Sequence, residues 1–262
     1  MAVVVSPGRA FAIEVEQPSR GRLAIAVDSQ KDFTTNERKN VVSQVKTSLR
    51  LDEDLAGFYA EARTKRAFRW IPKLGAGRLL RAPTVFEDVV KMICTTNCTW
   101  ALTEVMVENL CRKLGKEVGD NQFSFPRPEA LADVTERFIR KEIRAGYRAP
   151  YLLELSCRVV EGEIDLESWR HSELPTEELY EEVRTVKGVG PYAAGNILKL
   201  LGRYDYLALD SWCRKKFFEV HKSGRKVSDR AIERFYEPFG KWKGLFFWLD
   251  MTKDWYEHTF PF

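Results

Sequence analysis

The residues best placed to do chemistry cluster in one segment. Val186-Lys187-Gly188-Val189-Gly190-Pro191-Tyr192-Ala193-Ala194 is followed, 18 positions after Tyr192, by Asp210 in Leu209-Asp210-Ser211-Trp212-Cys213-Arg214. Glycines around Val189 let the backbone turn through positive φ. With no side chain in the way, the N–H groups of Gly188, Val189 and Gly190, and of the helix that starts at Pro191, can approach a phosphate. Lys187 adds a charge-assisted donor. The same Gly-Val-Gly also suits an ordinary connection between two helices, and Lys187 a solvated cation. Asp210 stands directly before a helical pattern, where aspartate commonly caps a helix.

Other reactive constellations find little support. Cys94, Cys98, Cys111, Cys157 and Cys213 include no CxxC pair, and the chain's only histidines are His171, His221 and His258. Zinc sites and Ser-His-Asp triads need closer or richer spacing. Reduced structural thiols and no metal are expected.

The hairpin needs two helices. Thr176 with Glu177 and Glu178 reads as a helix start, and Leu179, Val183 and Val186 form an apolar stripe over 176–187. Pro191 suits a first helical turn. Ala194, Ile197, Leu198 and Leu201 then follow helical spacing until Gly202. The hairpin thus spans 177–201. Further helices are expected at 129–144, 150–161, 211–220, 228–237 and 242–250, and around Leu55, Phe58 and Tyr59. A strong helical pattern runs from Thr84 (Val85, Val89, Val90, Ile93) and on through Val105, Met106, Leu110 and Leu114 to Gly115; 117–127 reads as a loop. Residues 11–16 and 23–27 alternate like two strands about a turn at 18–21. The expected fold is mainly α with a small N-terminal β region (α+β), divided into 1–80 and a helical body of 81–262.

Taken together, the hairpin and Asp210 resemble the HhH-GPD superfamily of DNA glycosylases, which includes endonuclease III, MutY, the 8-oxoguanine glycosylases and the AlkA-type alkylpurine glycosylases. The resemblance covers 51–114 in layout and 143–250 with motifs. It implies a two-lobed helix-hairpin-helix glycosylase fold and makes Asp210 the essential carboxylate. Cleaving an N-glycosidic bond builds positive charge on the sugar, which a fixed carboxylate stabilises while orienting water. Bifunctional members carry a Schiff-base lysine where this chain has Tyr192, and a phenol forms no imine. Lys187 and Lys199 lie off that position. An iron–sulfur loop of four cysteines is missing after Cys213. No cofactor is expected; a monovalent cation at the hairpin is compatible with the motif.

The same resemblance assigns the DNA-opening elements. Phe86 to Asn97 looks like the 8-oxoguanine glycosylase helix whose asparagine fills the vacated stack. Gly146-Tyr147-Arg148 looks like their second wedge, with Tyr147 beside the estranged base and Arg148 hydrogen-bonded to it. Asn97 as a helix terminator and Tyr147 as a core aromatic are the plainer alternatives. Trp100-Ala101-Leu102 lacks the arginine that reads an opposite cytosine. Phe247, then Trp248, are the candidates to stack on the flipped base, with Trp212 and Tyr192 lining the same pocket; aromatics at such spacing also build cores. Arg214, with Lys215, Lys216, Lys141 and Arg144, is expected on phosphates.

Bulk properties agree without deciding. The 262 residues carry a net charge of +4 and 44% hydrophobic residues, ordinary for a globular enzyme of one or two domains. No apolar run approaches the roughly 20 residues of a membrane span, and Met1 to Val5 lack the basic start of a secretory signal. An intracellular monomer acting on double-stranded DNA with a damaged base is expected. It would hydrolyse alkylated purines first and oxidised purines second, leaving an abasic site. The alternatives are a non-enzymatic hairpin DNA binder and a glycosylase for deaminated or mismatched pyrimidines.

Overall fold

The computed structural model describes residues 2–6, 9–19, 21–27, 33–119 and 121–256. Arg20 and Asp120, inside the expected turn and loop, and His258 lie outside the described residues. In chain order the elements are β1 (Ala2–Ser6), β2 (Arg9–Ser19), β3 (Arg22–Val27), α1 (Thr35–Leu49), α2 (Ala56–Thr64), α3 (Trp70–Leu74), α4 (Val85–Thr95) and α5 (Trp100–Leu114). There follow β4 (Glu117–Gly119), β5 (Gln122–Phe123), α6 (Pro128–Ala132), α7 (Glu136–Lys141), α8 (Ala149–Val160), α9 (Thr176–Arg184), α10 (Pro191–Leu201), α11 (Ser211–Lys222), α12 (Asp229–Tyr236) and α13 (Lys243–Met251). The protein is mainly helical with a small N-terminal sheet, as the sequence pattern predicts. None of these helices is long and apolar enough to cross a membrane.

The chain forms two compact units that interleave along the sequence. One comprises 1–51, 81–172 and 186–188; the other comprises 52–80, 173–185 and 189–262. The division expected at 80/81 is one of several places where the chain passes from one unit to the other.

In the first unit, β1-β2-β3 form an antiparallel sheet, with Ile13 opposite Val27 and Val15 opposite Ile25. Alternate side chains of a strand share a face. Phe11, Ile13 and Val15 therefore belong to one apolar cluster with Val41 and Val45 of α1. A reciprocal capping box fixes the start of α1, in which Glu37 N–H donates to Thr34 and Thr34 N–H to Glu37. In α4 the expected stripe is realised, with Val85, Val89, Val90 and Ile93 at most 1% exposed. The run before Pro7 pairs as β1, a strand the sequence reading does not include. Two expectations need correcting. The 117–127 loop contains the short β4–β5 hairpin. The helix expected over 129–144 is broken between α6 and α7, because Thr135 accepts the Phe138 N–H and caps a new helix.

The second unit holds an aromatic core. Phe58 of α2 and Phe68 meet Phe246 of α13 at ring separations of 4.8 and 5.0 Å, and Tyr236 of α12 meets Phe247 at 5.2 Å. In the same unit a half-buried polar knot ties three helices. Asp250 accepts from Tyr236 Oη at 2.6 Å and contacts His221 Nε2 at 2.8 Å. α9 stops at Arg184, short of the expected 187, and its N-cap is Pro175, with Thr176 as the first helical residue.

Candidate active site

The Gly-Val-Gly turn is held by its own geometry. Gly188 sits at φ +87°, where a Cβ is strained, and a Cβ there would also lie 2.7 Å from the Tyr151 ring. Val186 and Val189 are buried on either side. Gly190 differs: its backbone is extended and a Cβ there would meet nothing within 4 Å. Gly190 is the N-cap of α10 with no side chain capping that end, and Pro191 follows it. The N-terminus of α10 therefore presents backbone N–H groups and the positive end of its dipole beside open space, suited to an anion. Lys187 is exposed and bonds Glu154 at 2.6 Å, an exposed pair worth little that a phosphate can displace.

Asp210 is half-buried at the start of α11. Its Oδ1 accepts the Cys213 N–H at 2.6 Å, so the capping role is real. Its backbone carbonyl also accepts the Arg214 N–H at 3.0 Å, and the Cys213 thiol bonds the carboxylate as well. The cap thus holds the carboxylate at the α11 N-terminus, where a carboxylate can stabilise a developing cation or orient a water. Tyr192, in the first turn of α10, is half-buried.

Beside Asp210 in the same unit stands a cluster of indoles. Trp212, 40% exposed, lies 6.4 Å from Trp248 and 5.6 Å from Trp255, and those two rings meet edge-on at 5.8 Å. Trp255 escapes the sequence reading because it follows α13 with no periodicity to mark it. Phe247 needs correcting: it is fully buried, edge-on to Tyr236, and no ring face is left to stack on a base. Lys199 of α10 is also buried, with Nζ bonded to the Leu207 carbonyl at 2.7 Å. Arg214 has a partner in its own unit. Its guanidinium forks onto Asp229 at 2.7 and 2.8 Å, joining α11 to α12, and that bond raises its pKa. Lys216 bonds Asp254 at 2.7 Å, whereas Lys215 is well exposed.

The expected wedge residues meet one another within the other unit. Asn97 follows α4 in the left-handed region at φ +47°, a conformation asparagine tolerates. Its amide lies 3.4 Å from Tyr147 Oη, which also donates to the Thr96 carbonyl at 3.3 Å. Asn97 and Tyr147 are exposed. Arg148 is 3% exposed, donates to the Thr96 carbonyl and lies 4.5 Å from the Tyr147 ring. Its expected role on the estranged base is therefore corrected: here its guanidinium clamps the asparagine turn to the tyrosine. Lys141 and Arg144 are exposed. The described cysteines are free thiols, and burial pushes Cys94 up to about 12. Among the described residues no group of three or more His, Cys, Asp or Glu could hold a metal ion.

No protein-family model matches the chain. It is 26% identical over 221 residues to a probable N-glycosylase/DNA lyase of Methanothermobacter thermautotrophicus, covering 76% of this chain and 69% of that protein. Against a putative DNA-3-methyladenine glycosylase of Bacillus subtilis it is 21% identical over 63% of this chain, and spans 58% of that relative. Among solved structures, a 3-methyladenine DNA glycosylase from Archaeoglobus fulgidus superposes with a TM-score of 0.75 at 22% identity, covering 97% of this chain and 86% of that one. The 8-oxoguanine glycosylase/lyase of Clostridium acetobutylicum, in complex with DNA containing cytosine opposite 8-oxoguanine, superposes with a TM-score of 0.69 at 25% identity, covering 94% and 83%. In fold and sequence the chain is similar to DNA glycosylases, among them proteins named for 8-oxoguanine and for 3-methyladenine.

Proposed function

We propose that this protein is a monofunctional DNA glycosylase that removes a damaged purine and leaves an abasic site. The observation that carries the reading is the half-buried Asp210 carboxylate, fixed at the α11 N-terminus by the Cys213 N–H. As the C1′–N bond breaks, the base departs with the bonding electrons and C1′ becomes cationic. The Asp210 carboxylate stabilises that cation and orients a water, whose hydroxyl bonds to C1′ while its proton leaves through the carboxylate. The uncapped α10 N-terminus holds a backbone phosphate. Asn97 and Tyr147 fill the stack that the extruded nucleotide vacates. The flipped base stacks on the Trp212, Trp248 and Trp255 rings.

The absence of a lyase step rests on Tyr192. Of the hairpin lysines, Lys187 lies before the turn, off the Tyr192 position, and Lys199 is buried on the Leu207 carbonyl. Two relatives are named as lyases, so the point is open to a direct test. Borohydride should trap no adduct with an abasic duplex, and efficient trapping would refute the claim. Alkylated purines lead because Pro191-Tyr192 resembles the alkylpurine enzymes and electron-poor bases gain from indole stacking. Oxidised purines are the second reading, favoured by the Asn97–Tyr147 pairing. An enzyme acting on DNA works inside the cell, where its substrate is.

The deciding experiment compares wild type with Asp210→Asn on duplexes carrying single methylated or oxidised purines. Release by the wild type alone supports catalysis. Equal release by both removes Asp210 from the mechanism, and lesion binding without release by either makes the protein a binder.

A further inference from the structure

Lys199 poses a question the proposed mechanism does not answer. Its ammonium is buried, and taking a cation out of water is costly unless the site repays it. Nζ donates to the Leu207 carbonyl at 2.7 Å and lies 5.8 and 5.9 Å from the ring centres of Phe247 and Trp248. It is out of place as a nucleophile. Seven residues separate it from Tyr192, about 10 Å along α10 at the helical rise, and a carbonyl and two rings occupy its surroundings.

What Lys199 holds is the segment that delivers Asp210. Residues 203–209 run between α10 and α13 with little freedom. The Tyr204 carbonyl accepts the Gly244 N–H at 2.7 Å, and a Cβ at Gly244 would lie 2.2 Å from the Tyr206 carbonyl oxygen. A Cβ at Gly195 would lie 2.9 Å from that of Ala208. Ala208 itself sits at φ +56°, an unfavourable conformation for alanine that persists only where the surroundings enforce it. The carbonyl just before this strained residue is the one Lys199 grips, and two residues after it comes Asp210.

We infer that Lys199 is a positioning residue for Asp210: its ammonium clamps the Leu207 carbonyl, holds the left-handed turn at Ala208, and sets the carboxylate where the sugar cation develops. This rests on the reading of Asp210 as the catalytic carboxylate. The clamp has a pH signature. Burial lowers Lys199 to about 8, opposed by the charges of Cys213 and Asp210. The facing groups are Asp210 and Cys213 of α11 and the rings of α13, and Cys213, pushed up to about 12, stays neutral over this range. The Lys199 charge, present at neutral pH, is therefore lost as pH rises through about 8, and activity should decline with it.

The test measures single-turnover base release from pH 6 to 10 on duplexes with 8-oxoguanine opposite cytosine and on methylated duplex DNA. Affinity for a duplex carrying a stable abasic analogue is measured alongside, for wild type, Lys199→Met, Lys199→Arg and Asp210→Asn. Lys199→Met should release base about 10- to 100-fold more slowly, the scale of a small misplacement of a catalytic group, with affinity changed by less than about threefold. Its rate should show no decline near pH 8. Lys199→Arg, charged throughout, should recover part of the rate and show no decline below pH 10. Should Lys199→Met not fold, Lys199→Arg carries the test. A decline that stays near pH 8 in the folded variants, an unchanged rate in Lys199→Met, or a borohydride adduct lost only in the lysine variants would overturn the inference. Wild-type release by Asp210→Asn would instead overturn the reading of the site, leaving the two failures distinguishable.

Discussion

Replacing the two hairpin glycines should separate stability from DNA binding. Gly188→Ala meets two penalties. The left-handed backbone costs an alanine about 1–2 kcal/mol, and a Cβ at 2.7 Å from the Tyr151 ring forces an overpacking shift worth roughly 1–3 kcal/mol. Their sum is about 2–5 kcal/mol. Tyr151→Ala in the same chain should remove the second penalty and leave the first, so the double-mutant cycle should show a coupling of at least about 1 kcal/mol. Gly190→Ser is the contrasting change. Its extended backbone suits serine, nothing lies within 4 Å of the new Cβ, and serine at an N-cap stabilises by a few tenths of a kcal/mol relative to glycine. The new side chain nevertheless enters the space assigned to a phosphate. If it displaces one charge-assisted hydrogen bond, the loss is about 1.5 kcal/mol or more, roughly tenfold in affinity. Urea unfolding and duplex binding titrations at fixed salt supply both numbers. Equal stability losses at the two positions would refute the geometric argument. Undiminished DNA affinity in a folded Gly190→Ser would refute the phosphate assignment.

Other consequences follow from groups outside the hairpin. Burial raises Asp88 from its ordinary 3.8 to about 7 although its Oδ1 accepts the Ala82 N–H. The folded state then binds the extra proton, so stability should fall as pH rises from about 4 through about 7, and Asp88→Asn should flatten that slope in urea unfolding measured across pH. Asp250→Ala should cost about 1–3 kcal/mol, because Tyr236 Oη loses its acceptor in a buried site; a change below about 0.5 kcal/mol by denaturant titration would count against the knot. Trp255→Ala, at a residue 39% exposed, should slow base release while costing little stability. Phe247→Ala should instead destabilise by about 3–5 kcal/mol, and the reverse pattern would return Phe247 to the pocket.

Much of this protein is legible in the sequence alone because its signals are local. The stripe Val85-Val89-Val90-Ile93 sets the buried face of α4, Pro191 and Gly202 bracket α10, and the alternation of Phe11, Ile13 and Val15 defines a sheet face, each through periodicity or backbone preference within a few residues. Gly188 and Asp210 belong to the same class: a turn that demands positive φ and a carboxylate at a helix start are written in residue type and spacing. What tertiary structure decides is which side of a residue faces water and what it touches. Phe247 and Trp248 are neighbours with similar prospects in sequence, yet packing against Tyr236 closes one ring while the other stays near Trp212. Arg214 reads as a phosphate ligand until Asp229, 15 residues away, occupies its fork. Nothing in the sequence marks Arg148 or Lys199 for burial, and only the fold turns them inward onto the Thr96 and Leu207 carbonyls. Those outcomes depend on contacts between residues distant along the chain, which no local pattern specifies.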